Sequence, residues 1–146
     1  MNGLCHSPMM ILIDTNVFSE MVKPRPDDRV VDWMFKRRNE TLLSTIVVSE
    51  LSVGIRATRG AAKRALLHPW LDRLIARHAD RIVTFDLAAA KRWGDLAGNM
   101  IIGDRRSGYA DSLIAAQALA LDVPIATRNI RDFEESGAIL IDPWAT

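Results

Sequence analysis

Short apolar runs of strand length alternate with stretches of helical periodicity along this chain, and that alternation restricts the fold more than any other feature. Met10 to Ile13 is the first run. Thr15 to Val22 follows, then Asp27 to Arg38, where Val30, Val31, Met34 and Phe35 recur at helical spacing. Pro24 and Pro26 punctuate that junction, and Asp27 and Asp28 place acid at the next helix start, where the macrodipole favours it. Thr41 to Thr45 reads as a second strand leading into a helix over Ile46 to Thr58. Gly60 then breaks the chain before a helix over Ala61 to His78, which Pro69 is expected to kink or divide. Ile82 to Phe85 reads as strand, Ala88 to Met100 as helix, Gly103 to Gly108 as a polar loop and Tyr109 to Leu121 as helix. Pro124 to Thr127 and Ala138 to Ile141 close the series, separated by a charged turn or helix over Asn129 to Ser136. The pattern predicts an α/β sandwich with a mainly parallel sheet, whose functional residues lie at the carboxyl ends of the strands.

A length of 146 residues, 49% of them apolar and 25% charged, suits one domain, read here as residues 9–146. Residues 1–8 carry no periodicity, and Met9 or Met10 reads as the natural first residue, making the preceding segment a leader or start-site extension. The N-terminus lacks a basic region, and its apolar stretch ends at Asp14, too short for a signal peptide or a membrane span. Cys5 is the single cysteine, and His6, His68 and His78 fall in no zinc-like spacing, which suits a reducing cytoplasm. The net charge of +1 lacks the strongly basic balance typical of nucleic-acid binders.

Three carboxylates stand where charge is otherwise missing. Asp14 is the sole charge in residues 1–19, Glu50 is alone between Thr41 and Ile55, and Asp111 is alone from Ser107 to Leu121. At 100° per residue Glu50 shares a helical face with Ile46, Val47, Val53 and Gly54, and Asp111 with Ile114, Ala115 and Ala118. Each acid has a structural explanation: a helix cap at Asp14, a dipole interaction at Asp111, a buried ion pair at Glu50. Recurrence of the same anomaly on three elements favours a common site. Converging carboxylates repel one another unless a cation joins them, and their hard oxygens suit Mg²⁺ or Mn²⁺. A divalent ion there activates water against a phosphodiester. Whether Glu50 holds an ion or orients the attacking water stays open at this level, as does the number of ions.

The segments around these acids resemble the PIN-domain ribonucleases of the VapC type, especially the FitB-like branch. The matching pieces are ILIDTNVFSE around Asp14, STIVVSELSVG around Glu50, YADSLIAAQAL around Asp111, and IATRNIRDFE followed by DPW. In order and spacing they span Met10 to Trp144. The resemblance implies a three-layer α/β/α fold, Mg²⁺-dependent cleavage of RNA, a homodimer, and inhibition by a cognate antitoxin protein. It implies that Asp14, Glu50 and Asp111 are the core acids, with Asp14 and Asp111 the firmest metal ligands. A fourth ligand position falls near the TRN segment, at Asp132 or Asn129. Thr15, Asn16 and Thr127 lie inside the matched segments as supporting residues, and Thr45 is a weaker candidate of the same kind.

Residues 56–81 carry Arg56, Arg59, Lys63, Arg64, Arg73, Arg77 and Arg81 against only Asp72 and Asp80. Such a patch could track an RNA backbone, or be a solvated helix face. Arg105 and Arg106, in the loop before Asp111, stand closer to the acids in sequence. The alternative to a nuclease is a nonenzymatic partner-binding module whose acids hold a structural cation or another protein's arginine. A haloacid-dehalogenase-type phosphatase expects a second Asp at position 16, where this chain has Asn16.

Overall fold

The computed structural model describes residues 9–102 and 108–146. The proposed leader (1–8) and most of the polar loop, with Arg105 and Arg106, lie outside the described residues. Five parallel strands form one sheet in the order β3-β2-β1-β4-β5: β1 (Ile11–Ile13), β2 (Thr41–Ser44), β3 (Ile82–Val83), β4 (Ile125–Ala126) and β5 (Leu140–Ile141). Among the described residues seven α-helices flank it, α1 (Thr15–Glu20), α2 (Asp28–Lys36), α3 (Thr45–Ala57), α4 (Ala61–Arg77), α5 (Leu87–Ile102), α6 (Tyr109–Leu121) and α7 (Ile130–Phe133), giving the three-layer α/β/α arrangement. Among the described residues no helix is long and apolar enough to cross a membrane.

The run Ile11-Leu12-Ile13 takes the centre of the sheet because every one of its side chains is fully buried. A strand apolar on both faces is satisfied only with a helical layer on each side. Each of these side chains contributes roughly 1.5–3 kcal/mol by burial. Leu12 pairs with Leu42 on one side and Ile125 on the other. The edge strands β3 and β5 are short, which limits the unpaired edge available to other chains. They and β4 are shorter than the runs predicted from sequence. Pairing nonetheless continues past β4, since the Thr127 N–H donates to the Ile141 carbonyl at 2.9 Å.

Against the sheet pack Val47, Leu51 and Ile55 of α3, Leu71 and Leu74 of α4, and Ile114, Ala115 and Ala118 of α6. Helix α4 runs on through Pro69, so the proline does not divide it. Pro69 and Ala65 are both exposed, so the Ala65 carbonyl that loses its partner is left to water. The face expected for Glu50 is also shifted. Val47 is buried but Val53 is 69% exposed, because the row that meets the core is Val47, Leu51 and Ile55. Glu50 therefore sits half-buried at the border of that row.

Chain order positions the site. The sheet grows outward from β1 through β2 to β3, then returns to the other side of β1 with β4 and β5. The reversal opens a crevice at the carboxyl ends of β1 and β4, where such sheets bind ligands.

Candidate active site

Asp14 is the first residue after β1 and caps α1, accepting the Thr15 N–H on Oδ1 at 2.7 Å. Its Oδ2 accepts the Thr127 hydroxyl at 2.8 Å and the Asn16 side-chain amide at 3.2 Å. Thr127 is the residue that follows β4, so this contact joins the two strands of the crevice across 113 residues of sequence. The Thr127 hydroxyl also accepts the Asn129 N–H at 3.0 Å. The helix-cap explanation for Asp14 is therefore true but incomplete, since capping engages one oxygen and leaves the other for the crevice.

Glu50 comes from the middle of α3, where the Thr15 hydroxyl donates to its Oε1 at 2.7 Å. Ser44 caps α3 by accepting the Ile46 N–H and donates its hydroxyl to Gln117 of α6, tying the start of α3 to the helix that bears Asp111. The cap is thus Ser44 and not Thr45, which does not reach the acids' cleft. Asp111 lies in the first turn of α6. That turn is secured by Trp93 of α5, whose indole N–H donates to Ser112 at 2.9 Å while its ring meets Tyr109 edge-on. Gly108 precedes the turn, and a Cβ there would stand 3.2 Å from Asp111 Oδ2.

These elements bring Asp14, Glu50 and Asp111 to one cleft of about 310 Å³, with Thr15, Asn16 and Asn129 in its lining. Asp132 is exposed and does not line it. Its charge is nevertheless felt by both aspartates. Asp111 is pushed up to about 6, chiefly by burial, then by the charges of Asp14, Asp132 and Glu50. Burial likewise raises Asp14 above the usual carboxylate range, against the lowering effect of the Thr127 and Thr15 hydrogen bonds. Among the described residues no three or more acid, imidazole or thiol groups are spaced as a ready-made metal cage.

Sequence reasoning missed Ser19, Lys23, Arg128 and Trp144, which complete the lining. Lys23 is paired with Glu20 at 2.8 Å. Arg128 and Trp144 fall inside the matched TRN and DPW segments, the only sequence signal that marked them. Of the basic patch, Lys63 lines an adjoining cleft that shares Thr15, Ser19, Lys23 and Glu50 with the first. Arg77 and Arg81 border a separate apolar groove between α2 and α4.

The profile of the PIN domain family matches residues 11–137. VapC ribonuclease Y4jK of Sinorhizobium fredii is 37% identical over 137 residues, 92% of this chain and 98% of the relative. Toxin FitB of Neisseria gonorrhoeae is 33% identical, with 92% and 99% covered. A chain of the FitAcB crystal structure from Neisseria gonorrhoeae superposes with a TM-score of 0.86 at 32% identity, covering 94% of this chain and 100% of that one. Sequence and fold agree: the chain belongs to the PIN-domain family, among its VapC- and FitB-like members.

Proposed function

We propose that the protein is a Mg²⁺-dependent endoribonuclease acting as the toxin of a type II toxin–antitoxin pair. The observation that carries the reading is the convergence of Asp14, Glu50 and Asp111 at the crevice between β1 and β4, with two of them raised by burial and mutual repulsion. The donor set fits a hard cation. Mg²⁺ is held by one or two carboxylates, water and substrate phosphate, so it does not require a complete protein cage. Asp14 and Asp111 would hold it, with Glu50 beside them and Asn129 as a neutral member of the cleft; Asp132 would add charge from outside the lining. Bound there, the ion would supply Lewis acidity toward a scissile phosphate and the attacking water, a role Mn²⁺ can also fill.

The protein's own groups prepare this chemistry. Hydrogen bonds from Thr15, Asn16 and Thr127 hold the Asp14 carboxylate in one orientation. The Thr15 hydroxyl engages Glu50 Oε1 and leaves Oε2 to take a proton from water. VapC ribonuclease Y4jK and the tRNA(fMet)-specific endonuclease VapC of Salmonella typhimurium, relatives by sequence, are named for nuclease activity. A cognate antitoxin partner is supported by solved relatives that include FitAB bound to a DNA fragment, and VapBC-5 of Mycobacterium tuberculosis from a toxin–antitoxin family.

The test is direct. Purified protein should cleave RNA with Mg²⁺ or Mn²⁺ and stop on addition of chelator. Asp14→Asn and Asp111→Asn should each lose at least about a hundredfold while remaining folded. Unchanged cleavage by both variants would overturn the reading and favour a nonenzymatic binding module.

A further inference from the structure

Arg128 stands at the cleft, outside the set of side chains that hold the acids in place. Its N–H donates to Asn16 Oδ1 at 3.2 Å, which fixes the backbone beside the acids. Its guanidinium lies 5.1 Å from the centre of the Trp144 ring. Trp144 is only 8% exposed; its backbone N–H donates to Asp142 at 2.9 Å, and its side chain hydrogen-bonds to Glu20.

A guanidinium held over a rigid ring has already lost much of its side-chain freedom, while its N–H groups remain available to an acceptor. Lys23, the other cation among the described residues that line the cleft, is paired with Glu20. Among the described residues Arg128 forms no ion pair. An oriented, unneutralised cation beside a negative cleft is suited to an anion that must approach those acids. Arginine's fork matches phosphate oxygens in pairs, which a lysine cannot reproduce.

We propose that Arg128, stacked on Trp144, binds a backbone phosphate of the RNA and so sets the register of the strand over Asp14 and Asp111. The inference rests on the ribonuclease reading and adds to it a residue for substrate positioning. Its measurement is kept separate from cleavage. In an Asp111→Asn parent, which should hold RNA without cutting it, the affinity for a short mixed-sequence single-stranded RNA is read by fluorescence anisotropy over a range of KCl.

Adding Arg128→Gln should weaken binding about tenfold, the loss of one charge-assisted contact. It should also reduce the slope of log K against log salt by about 0.7, the value for one phosphate on a single strand. Arg128→Lys should recover the slope but not the full affinity. In the cleaving protein Arg128→Gln should raise KM and leave kcat within about threefold, as expected for uniform binding. A glutamine variant with affinity within twofold of its parent and an unchanged slope would overturn the assignment, as would a lysine variant indistinguishable from glutamine. Absence of RNA cleavage by the wild-type chain would strike the ribonuclease reading. Normal cleavage with an unchanged salt slope would strike only the role of Arg128.

Discussion

Replacing Asp111 by asparagine should make the metal-free protein more stable while abolishing its activity. The carboxyl group titrates near 6 in the folded chain, against an ordinary 3.8, because burial and the neighbouring acids penalise its charge. The folded state therefore binds the proton more tightly than the unfolded state does. Stability falls as pH rises from 3.8 to about 6, and the full penalty persists above that range. At about 1.36 kcal/mol per pH unit the whole effect would approach ~3 kcal/mol. The side chain is half-exposed, and water screens it, so about 1–1.5 kcal/mol is the realistic share.

Asparagine keeps the shape and removes the charge. In a chain of this size the gain corresponds to a Tm rise of about 3 °C. The assay is urea or thermal unfolding of both proteins in EDTA at pH 7.5 and pH 4. The gap should be present at the higher pH and mostly gone at the lower, where the folded carboxyl is protonated and the unfolded one, at its ordinary 3.8, is partly so. Adding Mg²⁺ at pH 7.5 should close it by stabilising the wild type preferentially. A variant less stable than wild type at pH 7.5, or a gap equal at both pH values, would refute the reasoning.

Asp14 should behave oppositely on truncation. Asp14→Ala removes the α1 cap and orphans the buried Thr127 hydroxyl, and urea unfolding should record a loss of about 2 kcal/mol. Thr127→Val should cost about 1–3 kcal/mol by stranding the Asn129 N–H and should lower RNA cleavage about 10- to 100-fold, both read in parallel assays. Buried His78 is held below its usual 6.5, chiefly by burial; neutral, it can donate Nδ1–H to the Leu74 carbonyl and accept the Thr41 hydroxyl. Its contribution should be present above pH 6.5 and be lost as pH falls through the lowered folded value, so the wild-type advantage over His78→Gln in urea should shrink from pH 7.5 to pH 5. For the expected homodimer, sedimentation at micromolar concentration should give twice the chain mass, and a strict monomer would refute it.

Asp14 and Asp111 were legible in the sequence because a charge inside an apolar run has few structural outlets. Glu50 was legible for the same reason, but its orientation was not. Helical period alone does not say which of two adjacent rows meets the sheet, and the row chosen by packing was Val47, Leu51 and Ile55. The alternation of elements announced the layered α/β architecture, yet the position of β4 beside β1 is a tertiary fact invisible to periodicity. With it went the link between Asp14 and Thr127. Asp132 and Asn129 could not be ranked from spacing, since one helical turn decides which of them lines the cleft. Arg128 was missed because its partner ring lies at Trp144, brought near only when β5 docks against β4.

The bond between Thr127 and Asp14 also governs the order of events during synthesis. Residues 11–13 form the middle of the sheet, but one of their two neighbouring strands is not made until residue 125. Until then β1 has a bare edge and Asp14 lacks its buried hydroxyl donor. A product that stops short of β4 cannot assemble the crevice, however well its earlier helices form. Nascent domains emerge amino-terminus first at roughly 5–20 residues per second, so the destructive capacity of this chain arrives late and all at once, with no active fragment on the way.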